Sequence, residues 1–261
     1  MQLINKDTIL EILKQCEVNK ENKTIILPNI QLERKLYQKV AKKLEGIGGK
    51  WNKKAKVFVF EDDTLDYFDD ICNGDEINIK KEFQFFATPQ DIAEQVASYA
   101  RYNWHETPSK VLKSRILEPS AGKGALISAL KQYHGNILVD CYEAFEPNVK
   151  YLKENLSENI NFLGSDFLQA KDEEIYDCII MNPPFNNKQY VDHVMKAWKM
   201  LNKSGKLIAI VPPSWQNNSN KKETSFKEFV KKHCTEICNL DKGSFKESGT
   251  MVETMILIFD N

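Results

Sequence analysis

The run Ile116-Leu117-Glu118-Pro119-Ser120-Ala121-Gly122-Lys123-Gly124-Ala125-Leu126 decides how the chain is read. A short apolar strand ends in an acid, a glycine-bearing loop turns, and a helix begins. Gly122 and Gly124 allow the backbone to approach a ligand where side chains would collide. The open amides of the helix that follows favour a carboxylate or phosphate. The spacing excludes two other loops: the Gly-x-Gly-x-x-Gly of a dinucleotide site and the Gly-Lys-Ser/Thr ending of a triphosphate loop. Taken alone, the run is also compatible with a tight turn that binds nothing.

The same rhythm continues on both sides. Thr88-Pro89 opens a helix expected to reach about Tyr102, with proline at the first helical position. Short apolar runs at 137–139, 161–163, 178–181 and 207–211 are each followed by a turn bearing Gly or Pro, and most turns lead into a helical pattern. This alternation predicts an α/β fold built on a doubly wound, mostly parallel seven-stranded sheet. The tail differs, because 236–240 and 254–259 read as strands joined without a helix, which predicts an antiparallel last strand.

Further polar groups stand at strand ends. In Val139-Asp140-Cys141-Tyr142-Glu143, an acid at the carboxyl end of a strand can accept hydrogen bonds from both hydroxyls of a ribose, on the side where open α/β sheets bind ligands. Glu143 fits that place best; Glu146 is the competing choice and suits a helix start. Asp166, in Gly164-Ser165-Asp166-Phe167, is either a ligand acceptor or a turn cap. The sharpest motif is Asp177-Cys178-Ile179-Ile180-Met181-Asn182-Pro183-Pro184-Phe185. Its prolines fix the backbone and remove donors, leaving carbonyl oxygens and the Asn182 side chain as acceptors. An amino group conjugated to a ring is a poor nucleophile because its lone pair is delocalised. Asn182 Oδ1 and the Pro183 carbonyl can each accept one of its hydrogens, which favours a pyramidal nitrogen and stabilises the developing positive charge. Phe185 offers a face for an unstacked base.

Residues 1–76 read as a small α+β unit, a candidate DNA-binding domain, followed by a connector at 77–84. Leu32, Leu36, Val40 and Leu44 recur at four-residue spacing on a helix expected to start near Gln31. Gly48-Gly49-Lys50-Trp51 and the β-rich 57–60 suggest a hairpin. The stretch from Arg34 to Lys56 holds nine cations and one acid, while 61–76 holds eight acids and no Lys or Arg, a partition hidden by the net charge of −1. These are two solvated faces that neutralise each other, or a phosphate-binding patch with an acidic backing. Lys50, Lys53 and Lys54 are the candidate phosphate contacts.

At 261 residues, with 42% apolar and 28% charged, the chain suits a globular enzyme that buries a core without staples. No apolar run approaches the roughly 18 residues that span a bilayer, and the polar start is no signal peptide, so no membrane role is expected. Six scattered cysteines without a Cys-x-x-Cys pair fit reduced thiols in a cytoplasmic protein. No metal is expected.

The acid-Pro-x-x-Gly-x-Gly pattern resembles motif I of class I S-adenosylmethionine-dependent methyltransferases. Together with Asn182-Pro183-Pro184-Phe185, it makes the chain similar to the amino-group DNA methyltransferases of the N6-adenine type. Phe85-Phe86-Ala87-Thr88-Pro89 looks like motif X of that family, and Gly243-Ser244-Phe245-Lys246-Glu247-Ser248-Gly249-Thr250 looks like motif VIII. The order is similar to the gamma arrangement and covers about residues 83–261. The N-terminal unit, with Gly48-Gly49-Lys50-Trp51-Asn52, resembles small phage-type adenine methyltransferases. The resemblance implies a Rossmann-like domain over 85–261. It also implies S-adenosylmethionine held by Phe86, Thr88, Glu118, Pro119, Ala121, Gly122, Gly124, Glu143, Ala144, Asp166, Phe167 and Asn182, with Asp166 toward the adenine amino group. Catalysis falls to Asn182, Pro183, Pro184 and Phe185, and substrate contact to Phe185, Phe245 and the three lysines. The implied partner is double-stranded DNA with the target base flipped.

Many relatives carry a large target-recognition domain after motif VIII, whereas this sequence ends at Asn261. Recognition is therefore expected from the N-terminal unit and a polar loop over 214–225, or from a partner protein. Asn-Pro-Pro-Phe also resembles ribosomal RNA guanine-N2 enzymes, and the related Asn-Pro-Pro-Tyr occurs in glutamine methyltransferases. An inactive cofactor-binding subunit is a further alternative, against which the intact Asn182 motif argues.

Overall fold

The computed structural model describes residues 6–60, 64–79, 87–100, 114–134, 137–173, 175–217, 220–246 and 251–261, and the chain divides into two units, 1–84 and 85–261. In the first, helix α1 (Lys6–Lys14) precedes the hairpin β1 (Glu17–Asn19) and β2 (Thr24–Ile26). Helix α2 (Arg34–Gly46), the hairpin β3 (Lys50–Asn52) and β4 (Val57–Val59), and helix α3 (Tyr67–Asn73) follow. The strands form one antiparallel sheet in the order β1-β2-β4-β3. Leu13, Ile25, Leu44, Ile47, Phe58 and Phe60 make its core. A Cβ at Gly49 would lie 2.8 Å from the Phe60 ring and 2.9 Å from the Leu44 carbonyl, so a side chain there would push α2 off β4.

Helix α2 starts at Arg34 rather than near Gln31, because Glu33 holds an extended backbone with ψ 139. Leu32 is thereby left outside the helix. Helix α1 and the β1–β2 hairpin escaped the sequence reading, since three-residue strands offer too little alternation to establish a period.

The second unit runs α4 (Gln90–Ala100), β5 (Ile116–Glu118), α5 (Ala125–His134), β6 (Val139–Tyr142), α6 (Glu146–Asn155) and β7 (Ile160–Gly164). It continues through β8 (Tyr176–Met181), α7 (Gln189–Lys199), β9 (Leu201–Val211), α8 (Lys221–His233), β10 (Cys234–Asn239) and β11 (Met255–Asp260). The sheet order is β10-β11-β9-β8-β5-β6-β7. β11 is antiparallel to both its neighbours, and the pairs among β5 to β9 are parallel. This is the doubly wound, mostly parallel seven-stranded sheet that the sequence predicts. Alternate residues of β8 feed two apolar cores: Cys178 and Ile180 join one with Val96 and Leu130, Ile179 and Met181 the other with Val194 and Phe226.

The chain winds outward from β5 to β7 and then returns to β8 on the other side of β5. β5 and β8 thus meet where the winding reverses, the place where open α/β sheets bind ligands at their carboxyl ends.

The expected polar loop over 214–225 is largely regular structure. Pro213–Gln216 form a 3₁₀ turn with Trp215 buried at 4% exposure, and α8 begins at Lys221 with Asn220 as its cap. Among the described residues, no helix is long and apolar enough to cross a membrane. All six cysteines are free thiols.

Candidate active site

β5 delivers Glu118 to its carboxyl end, where the side chain is 1% exposed and neither carboxylate oxygen has a satisfied hydrogen bond among the described residues. Burial pushes its pKa well above the usual carboxylate range and the neighbouring Glu143 pushes it further, with the Ser120 amide pulling the other way. The Ser120 hydroxyl is likewise buried and unpartnered. Gly122 turns the loop with φ 56, and its amide donates to Glu143 Oε2 at 2.7 Å. Gly124 has φ 77, and a Cβ on it would lie 2.4 Å from Leu156 and 3.0 Å from Leu152. Its lack of a side chain therefore lets the loop pack close against α6 and Leu156.

Glu143 follows β6 and ties this loop together. Its Oε1 accepts from the Phe145 amide at 2.8 Å and from Asn148 Nδ2 at 3.3 Å. Burial raises its pKa, and these bonds and that from Gly122 offset part of the rise. The Ala144 amide adds a further bond, so the carboxylate is held mainly by the backbone of its own loop and by Gly122. Glu146, the alternative, is exposed at the start of α6, and Ala144 is exposed beside Glu143.

β8 delivers the second half of the site. Pro183 is buried, whereas Asn182, Pro184 and Phe185 are half-buried. Asn182 Nδ2 donates to Thr88 Oγ1 at 3.1 Å, joining the loop to the segment ahead of α4 and turning Oδ1 away from Thr88. Phe185 meets Tyr190 edge-on, with ring centroids 6.3 Å apart. Just beyond, Asn187 and Lys188 hold left-handed backbones, with φ 49 and 58, a conformation that costs non-glycine residues energy and persists where surroundings enforce it.

Glu223 supplies that enforcement. It is 0% exposed and accepts from Tyr190 Oη at 2.8 Å, Ser214 Oγ at 2.9 Å, Asn220 Nδ2 and Lys188 Nζ at 2.7 Å. Burial pushes its pKa up, but the bonds from Lys188, Asn220, Tyr190 and Ser214 more than reverse this and hold it at about 2. This brace behind Phe185 was missed from sequence, although Asn220 and Glu223 have the spacing of a capping box, with the Glu223 amide donating back to Asn220 Oδ1 at 3.1 Å.

Other predicted residues fall elsewhere. Asp166 is exposed and accepts from the Leu168 amide at 2.9 Å, the turn-cap geometry. Phe167 packs in the core against Tyr142 and His193. Phe245, placed with the substrate contacts by resemblance, is 2% exposed and lies in the core with Ile256 and Val96, so its ring presents no free face to a base. Phe86 and 247–250 of the motif VIII stretch lie outside the described residues. Lys50, Lys53 and Lys54 belong to the first unit, on and beside the β3–β4 hairpin.

Residues 105–239 match the family model of the methyltransferase small domain. Over 108 residues the chain is 32% identical to the type II methyltransferase M.AccI of Acinetobacter calcoaceticus, a match that takes in 41% of this chain and only 19% of that protein's length. A solved structure assigned as a class I S-adenosylmethionine-dependent methyltransferase from Listeria monocytogenes is similar with a TM-score of 0.54 at 15% identity, over 88% of this chain and 75% of that one. Another, assigned as an RNA methyltransferase from Pyrococcus horikoshii, is similar with a TM-score of 0.50 at 17% identity, over 69% and 88%. At these identities the likeness to both is one of fold.

Proposed function

The chain belongs to the methyltransferase small domain family, and from that premise we propose that it methylates the N6 amino group of adenine in double-stranded DNA, with S-adenosylmethionine as cofactor. One observation carries the reading. The orphaned Glu118 and its glycine loop stand at the end of β5, and Asn182-Pro183-Pro184-Phe185 stand at the end of the adjacent, parallel β8. S-adenosylmethionine supplies an electrophilic methyl group when bound. Its positive charge and ribose hydroxyls suit two raised carboxylates and a buried unpartnered hydroxyl, so Glu118, Ser120, Gly122 and Glu143 would hold it.

Asn182 Oδ1 and the Pro183 carbonyl accept the two hydrogens of the target amino group, which frees its lone pair and stabilises charge as it develops. Thr88 orients the amide by accepting from Nδ2. An amide cannot take up the proton, which leaves to water once the nitrogen is methylated. Phe185 stacks the flipped base, and Lys50, Lys53 and Lys54 contact phosphates. The Asn-Pro-Pro-Phe motif and the similarity to a type II methyltransferase support DNA as the substrate.

The test is transfer of labelled methyl groups to DNA and RNA, with the modified nucleoside identified. N6-methyladenine from DNA is expected. N2-methylguanine from RNA, or transfer to no nucleic acid, would overturn the reading. Asn182→Ala should lower turnover by about 100-fold or more while cofactor affinity is nearly unchanged, the scale of losing one preorganised polar group.

A further inference from the structure

A cleft of about 510 Å³ opens on the first unit, lined by Ile30 and Leu32 from the stretch ahead of α2, Tyr37 of α2, Trp51 of β3, and the cations Arg34 and Lys56. Among the described residues, no acidic side chain lines it. Its size falls within the range of about 300–1,000 Å³ typical of small-ligand sites. Ile30 is 52% exposed and Trp51 37%, so apolar surface is left open here. The Trp51 indole leans on the buried Phe58, with centroids 5.0 Å apart, and meets Tyr37 edge-on at 6.4 Å. The core therefore holds the ring in place while part of it stays uncovered.

The hairpin tip beside it is equally fixed. Asn52 Oδ1 accepts from the Lys54 and Ala55 amides at 3.0 Å each, and the Asn52 carbonyl accepts from the Lys56 amide at 2.8 Å. Among the described residues of the acidic stretch, Glu76 pairs with Lys43 at 2.8 Å. Arg34, Lys35, Lys53, Lys54 and Lys56 form no ion pair among the described residues.

An apolar peptide would match the walls and waste the cations, whereas a bare polyanion would match the cations and waste the indole. A polynucleotide with a base out of its stack satisfies both, since every base has an apolar face and every linkage a negative charge. We propose that this cleft takes an unstacked base of a polynucleotide strand, stacked on Trp51, with Arg34 and Lys56 on the neighbouring phosphates. The inference rests on the nucleic-acid reading above for its class of partner, but binding here requires no methyl transfer. A chain that binds strands without methylating them would sink that reading and leave this one standing.

The experiment measures binding of the full chain to short single strands of DNA, to abasic strands of equal length and to fully paired duplex. Base-bearing strands should bind about tenfold more tightly than abasic ones, the lower part of what one aromatic stack contributes. Trp51→Ala should erase that preference and Trp51→Phe should restore most of it; melting curves would identify any variant that fails to fold. Arg34→Glu with Lys56→Glu, which leave the aromatic wall in place, should weaken every strand and lower the slope of log K against log salt by about 0.7 per lost contact. Equal binding of base-bearing and abasic strands, or a preference that survives Trp51→Ala, would overturn the proposal and leave the cleft to a protein segment.

Discussion

Glu118 at the end of β5 and Glu223 on α8 are both carboxylates sealed from solvent, at 1% and 0% exposure, and they end in opposite states. For Glu118, burial drives the pKa up and the neighbouring carboxylate of Glu143 drives it further, with only the Ser120 amide opposing them. Glu223 collects four side-chain donors, among them the Lys188 ammonium, and is held at about 2. Burial raises both, so it cannot account for the opposite outcomes. Partners decide the direction, and a buried carboxylate left short of them is a candidate place for a ligand. The saturated one belongs to the frame around the Asn182-Pro183-Pro184-Phe185 loop.

The same chemical change at the two sites should therefore act with opposite sign. Removing the satisfied acid has the larger effect. Glu223→Ala should cost about 3 kcal/mol in a urea titration, because it strands Tyr190, Ser214 and Lys188 donors together. Linkage gives a further signature. Its folded pKa lies below the ordinary value of 4.5, so its stabilisation is complete above that value and is lost as pH falls toward about 2. Glu223→Gln should lack this acid-dependent drop; an identical drop would mean that other carboxylates carry it.

Glu118→Gln should instead raise stability at neutral pH by about 1 kcal/mol. A carboxyl whose folded pKa is raised opposes folding increasingly as pH climbs from its ordinary value through the folded one, and the amide removes that penalty. The same variant should bind S-adenosylmethionine about tenfold more weakly, as for one lost charge-assisted contact. A stability loss matching that of Glu223→Gln would break the comparison. The smallest effect is in the pH dependence of cofactor binding by calorimetry. A cationic ligand draws Glu118 toward its charged form and releases a proton, so affinity should rise with pH in the natural protein and flatten in Glu118→Gln. Equal slopes would assign the proton elsewhere.

Most of the sheet was legible in sequence because its signals repeat. The central strands of the second unit are apolar runs closed by turns, and the acid at the end of β5 and the Asn182 motif at the end of β8 announce themselves by residue type. Side-chain direction was less legible. Phe167 and Phe245 follow motif positions, but the turn that carries Phe167 aims it at Tyr142 and His193, and Phe245 enters the core. A motif gives the place of a residue along the chain and not the face it presents. Glu223 was overlooked for a different reason. Its partners Lys188, Tyr190 and Ser214 are dispersed in sequence, and the capping-box spacing with Asn220 signals a helix start without revealing that the acid also clamps another loop. The start of α2 was misplaced because the leucine spacing continues through Leu32 although the backbone at Glu33 is extended.

The bond between Thr88 and Asn182 joins residues 94 apart, and the Arg115 amide reaches the Asp177 carboxylate across 62. Closing such long loops costs entropy that only later contacts return, so pairings of high sequence separation form slowly. On a growing chain, Glu118 and Glu143 emerge from the ribosome well before Asn182, the residue proposed to act beside them. The proposed site is therefore complete only once β8 has paired with β5, and a chain arrested before that strand would carry Glu118 and Glu143 without the Asn182 loop.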